Sequence, residues 1–285
     1  MAVDPRSGRP TVALLTDPTL PSLGPDDAPL VAAFEAAGWA TIPCQWREPV
    51  AGHDLALIRS CWDYAAHRDE FLERLAEWAD LVPLWNPLDT VRWNSSKRYL
   101  LELHSRGHAL PATVIVEAGA STTLADAMRA IDSTGVVVKP LIGAAGIDTW
   151  RTSAADDPRW EQRRGAVLVQ AFVPEIESEG ELSLVWFRDG YSHAVNKRPA
   201  AGEFRVQAEH GGRTTAMVPS QDVIRQAERV LASVAHPWSY ARVDGVVSGG
   251  CFVLMELELV EPELFFRHAP RVATRFVATL TASRG

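Results

Sequence analysis

Residues 252–262 read FVLMELELVEP, an apolar strand interrupted by acids. Strand alternation sets Phe252, Leu254, Glu256, Glu258 and Val260 on one face, and Val253, Met255, Leu257 and Leu259 on the other. Two like charges side by side in such a run demand either water or cations in front of them. The preceding segment, SYARVDGVV, is joined to this one by SGG, which predicts a hairpin. A three-residue loop pairs Val247 with Cys251, Asp244 with Leu254 and Arg242 with Glu256, leaving Asp244 diagonally beside Glu256. A two-residue loop shifts the register by one and sends Asp244 to the opposite face. Three carboxylates on one patch are hard oxygen donors of the kind that suit magnesium, usually held by one or two carboxylates plus substrate phosphates. The alternatives are a solvated outer face or salt bridging by Arg242. The flanking apolar residues weigh against full solvation.

Cations are the next question. Of 28 basic residues only three are lysines, Lys97, Lys139 and Lys197. A coding bias towards arginine accounts for the imbalance, and under it lysine survives where a compact, rotating ammonium is needed, as on phosphate oxygens. Lys139 ends the apolar run GVVVKPL and is followed by a small-residue loop containing Gly143, Ala144, Ala145 and Gly146. Such a loop lets backbone N–H groups approach phosphate closely. It is not a P-loop, because the lysine precedes the glycines. Lys97 follows RWNSS, where Asn94 or Ser95 can cap a helix SKRYLLELH. A lysine there opposes the helix dipole unless an anion binds. Lys197 has Arg198, Arg205 and Arg213 nearby in sequence, a cluster able to hold a terminal phosphate and an anionic substrate group. The alternatives are chance survival of all three, an ordinary hairpin turn after Lys139, an exposed helix-start lysine at Lys97 and a hydrated loop around Lys197.

The chain of 285 residues is long enough for one large core or two to three subdomains. Its net charge of −8, with no basic run, argues against nucleic acid as a partner. No apolar stretch nears the roughly 20 residues that cross a bilayer, so no membrane partner is expected. MAVDPRSGRP reads as a short flexible tail, residues 1–10, and three scattered cysteines suggest neither disulfides nor zinc. The simplest location is the cytoplasm. From residue 11, strand and helix alternate: TVALLTD, a helix over 26–38, WATIPCQW, DLALIRS, and a helix over 67–80 with Phe71, Leu72, Leu75, Trp78 and Ala79 inward. This predicts an open, largely parallel sheet. A small α+β unit follows Pro111. The last third brings a strand pair around ELSLVWFRDGYSHAVN, a helix over 221–235 behind the cap Ser220, and the acidic hairpin.

Between these last parts, VLVQAFVPE…ELS reads as a strand ending at Gln170, an extended hinge able to offer backbone groups to a flat base, and a second strand opened by Glu181. Two strands joined by an acidic surface loop are an equal reading. RSCWDY ends a sheet strand, where parallel sheets receive ligands, so Arg59 and Asp63 are candidate contacts to an amino acid. A structural tryptophan with a paired Arg and Asp is as good a reading.

Taken in order, Lys97, Lys139 with its loop, the hinge and RVD…MELEL resemble the ATP-grasp superfamily, which includes D-alanine–D-alanine ligase, glutathione synthetase and biotin carboxylase. The resemblance implies an α/β fold, α+β in parts: a Rossmann-like domain over 11–93, and two α+β subdomains, 94–172 and 173–285, enclosing ATP. It implies that Lys97, Lys139, Gly143 and Gly146 serve the phosphates, Gln170, Phe172 and Val173 the adenine, and Glu181 the ribose. Asp244, Glu256 and Glu258 then hold one or two magnesium ions, with manganese able to substitute. Glu258 stands where the family usually has asparagine. Arg205 and Lys197 are the implied catalytic cations, Arg205 neutralising the transferred phosphoryl group.

RSCWDY, WNSSKRYLLEL, NKRPAAGEFRVQ and ELELVEPELFF further resemble a compact bacterial subgroup that includes D-cycloserine synthetase, which closes O-ureido-D-serine into a cyclic antibiotic. The expected function is therefore an ATP-dependent carbon–nitrogen ligase acting on a small amino acid-like substrate, with Arg59, Asp63 and Asn196 as substrate contacts. A ligase joining two separate substrates, a phosphotransferase and a non-catalytic nucleotide binder are the alternatives, and a homodimer is left open.

Overall fold

The computed structural model describes residues 8–50 and 52–282, so most of the expected tail lies outside the described residues. Its last part is tied down, since the Arg9 guanidinium donates to the Trp39 carbonyl at 2.8 Å. Strands β1 (Thr11–Thr16), β2 (Ala40–Gln45), β3 (Leu55–Ser60) and β4 (Leu84–Trp85) form a parallel sheet in the order β2-β1-β3-β4. Every residue of β1 and β3 is buried, as expected for a parallel sheet covered on both faces. Val12, Leu14, Leu55 and Leu57 face Phe34 of the helix Ala28–Ala36 and Phe276 of the helix Val272–Thr281. Ala13, Leu15, Ala56 and Ile58 face Phe71, Leu75 and Trp78 of the helix Arg68–Leu81. Ala79, expected inward, is exposed. The last helix belongs spatially beside the first, rather than with the C-terminal subdomain alone.

Strands β5 (Thr113–Val116), β6 (Val136–Pro140), β7 (Trp150–Thr152) and β8 (Val167–Ala171) form an antiparallel sheet, β5-β8-β6-β7. A third sheet runs β11-β10-β9-β12-β13, from β9 (Glu181–Phe187), β10 (Gly190–Arg198), β11 (Arg213–Met217), β12 (Tyr240–Ser248) and β13 (Cys251–Glu258). One face packs on the helices Tyr99–Ser105 and Gln221–Ala232. Ser220 caps the latter, its hydroxyl accepting from the Val223 N–H. The helix expected from Ser96 begins only at Tyr99. Asn94 caps no helix start; it ends the helix Leu88–Asn94 and spans the edge of β13. Its amide donates to the Leu257 carbonyl at 2.8 Å and accepts from the Leu259 N–H at 2.7 Å. With Asn86 on the Leu259 carbonyl and Ala109 on the Leu254 N–H, these bonds satisfy an edge strand's outward groups.

The hairpin departs from both registers considered in the sequence. Its turn is the two-residue Gly249–Gly250, both at positive φ, which pairs Ser248 with Cys251 and Gly245 with Leu254. A bulge at Asp244/Gly245 then lets Met255 stand as an extra residue, so Asp244 pairs directly with Glu256 and Arg242 with Glu258. The bulge also exchanges faces. Phe252 and Leu254 share the helix-covered core with Leu257 and Leu259, while Glu256 and Glu258 are turned to the other side. Simple alternation had grouped the acids with Phe252 and Leu254, and that grouping is overturned. Gly245 is required at this point, because a Cβ would lie 2.6 Å from the Val253 carbonyl oxygen and against the Phe252 ring. Gly245→Ala is expected to cost about 1–3 kcal/mol through overpacking, read as a lowered urea midpoint at unchanged slope.

Candidate active site

One cleft is walled by β6 and its following loop, by β9, β10, β12 and β13, and by the loop joining β10 to β11. All three lysines line it. Lys97 sits in the turn between two helices, anchored by its N–H on the Leu141 carbonyl at 2.8 Å. Its ammonium reaches the Gly143 carbonyl at 2.8 Å and Glu256 Oε1 at 2.9 Å, joining the small-residue loop to the acidic strand. Lys139 projects from the end of β6 and donates to Gln170 Oε1 at 3.1 Å. Burial holds its pKa below the usual lysine value, against the opposing pull of Glu256 and Glu181. Lys197 is bracketed by Glu181 Oε1 at 2.5 Å and Asp244 Oδ2 at 3.1 Å. Burial acts to lower its pKa, but the two carboxylates prevail and raise it.

The acids are equally occupied. Asp244 is 2% exposed and accepts from Ser183 Oγ at 2.7 Å, from the Arg242 guanidinium and from Lys197. Burial would raise its pKa, yet Arg242 and Lys197 hold it below the ordinary aspartate value. Glu258 is paired with Arg242, but burial pushes it up to about 7, with Glu256 and Asp244 adding to the rise. The sequence reading asked what cations sit among these carboxylates, and the structure answers with the protein's own. Among the described residues no three acidic, histidine or cysteine side chains converge as a preformed metal centre. Asp244, Glu256 and Glu258 do present hard oxygens along one strand pair facing the cleft. That donor set fits magnesium held by one or two carboxylates and completed by phosphate oxygens, not a three-carboxylate cage.

Over the cleft lies the β10–β11 loop. Arg205 is fixed by Glu203, with NH2 to Oε2 at 2.7 Å, and the same carboxylate accepts the N–H groups of Phe204 and Arg205. Gly146, at φ +68, faces this loop; a Cβ there would lie 3.2 Å from Gln207 Oε1.

Several sequence-predicted residues lie elsewhere. Gln170 is 1% exposed and spends its side chain on Lys139 and Thr113, so it supports a lysine and does not line the cleft. Phe172 lies under the Arg151 guanidinium at 3.5 Å, and Val173 packs against Ile176, Val206, Val246 and Met255. The apolar wall near Lys139 is instead Val137, Ile176 and Met255. Arg59 is 3% exposed, with Nε on Asp27 Oδ1 at 2.8 Å and NH1 on the Pro262 carbonyl at 3.2 Å. Asp63 is taken by Trp46 Nε1 at 2.7 Å and Arg47 at 2.5 Å. These two are structural contacts, and it is their neighbours Trp62 and Tyr64 that line the cleft. Asn196 points away from Lys197 by strand alternation and donates to the Glu179 carbonyl at 2.9 Å. Glu261, Glu263 and Phe265, from the segment after β13, complete that end; they lie in the ELELVEPELFF stretch, which gave none of them a role of its own.

Comparison with known proteins agrees with this architecture. The family described as D-cycloserine synthetase DcsG, N-terminal domain, matches residues 12–86. The cycloserine biosynthesis protein DcsG of Streptomyces lavendulae is 28% identical, over 94% of this chain and 97% of that protein. The crystal structure of D-cycloserine synthetase DcsG superposes with a TM-score of 0.84 at 26% identity, covering 96% of this chain and 99% of that one. An ATP-grasp RimK domain protein from Sphaerobacter thermophilus shares the fold, with a TM-score of 0.68, 20% identity and coverage of 94% and 98%. The chain has the fold of the ATP-grasp structures and resembles biosynthetic enzymes that include D-cycloserine synthetase and glutathione synthetase. Among these, the chain resembles the compact bacterial subgroup that includes D-cycloserine synthetase. No helix among the described residues is long and apolar enough to cross a membrane.

Burial, with Glu258 adding, pushes Glu261 up to about 8 from its ordinary 4.5. Between those values the folded chain binds more protons than the unfolded one, so stability falls as pH rises through that window. The unliganded protein is therefore expected to lose melting temperature from pH 5 to 8.5. Glu261→Gln should flatten that slope in the same scan.

Proposed function

We propose that the chain moves the γ-phosphoryl group of ATP onto a carboxylate of a small amino acid-like substrate, and that a nitrogen of the same molecule then closes a ring. The conversion of O-ureido-D-serine to D-cycloserine is the reaction of this form. The observation that carries the ring-closing reading is the likeness to the cycloserine biosynthesis protein, which runs over nearly the full length of both chains. In the first step a carboxylate oxygen takes the phosphoryl group and ADP leaves. In the second the nitrogen lone pair forms the C–N bond, the C–O bond to phosphate breaks with its electron pair and the nitrogen sheds a proton; with O-ureido-D-serine the carbamoyl group on that nitrogen is then lost to water as carbon dioxide and ammonia, leaving the D-cycloserine ring.

Chemistry of this kind asks the protein for positioning and charge neutralisation more than for a nucleophile. Residues 11–93, 94–172 and 173–285 act as three units in this reading, with ATP between the last two. Lys97 and Lys139 take the phosphates, with Gly143 and Gly146 admitting backbone N–H groups beside them. Val137, Ile176 and Met255 form the apolar wall for the base. Glu181, oriented by Lys197, accepts from the ribose hydroxyls. Magnesium held at Glu256 and Glu258, when bound, supplies charge neutralisation on the phosphates. Asp244 keeps Arg242 and Lys197 in place behind those acids. Arg205, braced by Glu203, meets the transferred phosphoryl group.

The test is ADP release over amino acids and their ureido and aminooxy derivatives, with mass analysis of products. One substrate giving ADP, phosphate and a cyclic product is expected. A need for a separate amine, an accumulating phosphorylated product, or no ADP release would each overturn the ring-closing reading. Glu256→Gln should lower kcat by about 10²–10³-fold with a melting temperature within a few degrees of wild type; near-normal turnover sinks the magnesium role. Lys139→Arg should raise KM for ATP about tenfold, because the planar fork cannot replace a point charge held between Gln170 and phosphate.

A further inference from the structure

Apart from Glu209, which is exposed to water, each acid on the cleft wall but one has a cation from another residue. Glu181 has Lys197, Asp244 has Arg242 and Lys197, Glu256 has Lys97, Glu258 has Arg242, and Glu263 has Arg267. The exception is Glu261. It is 8% exposed and lines the cleft; among the described residues no cation comes within ion-pair distance of its carboxyl, and Lys97, paired with Glu256, acts on it only from farther away. A buried carboxylate without a counter-charge is costly, and removing it from water is repaid only by a well-placed cation. Its surroundings are aromatic. Glu261 is near enough to Tyr64 to raise that phenol's pKa, and Trp62, Tyr64 and Phe265 line the same end of the cleft. Trp62, in the same short helical turn as Tyr64, is 37% exposed and lines the same cleft, a large apolar ring left uncovered.

We infer that Glu261 and Trp62 form a subsite for the ammonium group of the substrate, so that the enzyme selects carboxylic acids bearing a free amine. This rests on the reading of the cleft as an amino acid-like ligase site, and it adds which group of that substrate is recognised and by what. The ammonium supplies the missing positive charge, donates to the Glu261 carboxylate and lies against an indole face, which attracts cations. Aromatic walls on one side and a single unpaired acid suit an organic cation. They do not suit a strongly hydrated divalent ion, which keeps several waters.

The experiment is calorimetric binding to the full chain in the presence of ADP, with ADP release as a second readout. The probes are O-ureido-D-serine and its des-amino counterpart, 3-(ureidooxy)propanoate. Wild type should bind the amino compound at least tenfold more tightly. Glu261→Gln should lose about 30-fold or more on the amino compound, bind the des-amino compound within threefold of wild type, and keep KM for ATP. Trp62→Leu, at an exposed position where folding is not at stake, should show the same selective loss at several-fold. Equal loss on both probes in the two variants would mark a merely structural role. Equal binding of the two probes by wild type, or a raised magnesium requirement in Glu261→Gln, would likewise overturn the subsite. Binding of neither probe counts against the O-ureido-D-serine reading alone. The subsite is then judged on whichever acid releases ADP, and it falls if des-amino acids serve as well as amino acids.

Discussion

The extra residue at Met255 is what allows an apolar edge strand to carry a charged wall. Without it, a two-residue turn would leave Asp244 on the core side relative to Glu256, or would drive Glu256 and Glu258 into the helices that cover Phe252 and Leu254. With it, Leu254 and Leu257 remain buried on one side while Met255, Glu256 and Glu258 line the cleft. The bulge needs Gly245 opposite it, because the Phe252 ring and the Val253 carbonyl occupy the space of a side chain. It also needs the edge to be held in register, which Asn94 does by bonding Leu257 and Leu259 as a neighbouring strand would. The position of the acids is thus set by backbone geometry before any ligand is considered.

Electrostatics then keeps that wall from repelling itself. Asp244 and Glu256 are directly paired across the hairpin, an arrangement that is unfavourable for like charges. Arg242, two residues before Asp244 and opposite Glu258, reaches both acids, while Lys97 and Lys197 arrive from other elements. Two of these cations come from residues distant in sequence, so the folded arrangement of three separate segments is a condition of the site's stability. The glutamates' raised pKa values mark where this neutralisation is incomplete, at Glu258 and more so at Glu261.

Much of this was legible in sequence. The parallel sheet followed from strand–helix alternation, and the scarcity of lysine singled out three cations that all line one cleft. The acids were found because charges stood out in an apolar run. What could not be read was local backbone irregularity and side-chain direction. Both registers considered for the hairpin assumed regular pairing, and neither anticipated a short turn corrected by a bulge. The hinge from Gln170 to Val173 was read as offering backbone groups to a flat base, and no pattern in the sequence showed that the apolar lining of the cleft comes from Val137, Ile176 and Met255 on three different elements. Asn196 and Lys197 were both chosen, though adjacent residues of a regularly paired strand point to opposite faces. Glu261 carried no spacing signal, since only the absence of a partner in three dimensions distinguishes it from other surface acids.

Arg59, chosen as a substrate contact, is engaged within the protein close to one end of the cleft. Its guanidinium is buried against Asp27, and its NH1 reaches the carbonyl of Pro262, the residue after Glu261. Tyr240 lies on the same seam, its hydroxyl bonding to the carbonyls of Trp85 and Val260. The end of β3, the end of β4 and the segment after β13 are therefore fixed to one another by buried polar bonds. Such bonds are costly to leave unmade, so the parallel sheet and the acidic strand cannot drift apart without losing several at once. The geometry at the Trp62–Glu261 end is consequently a property of the joint between the first and third sheets, whereas the rest of the cleft is walled by the second and third.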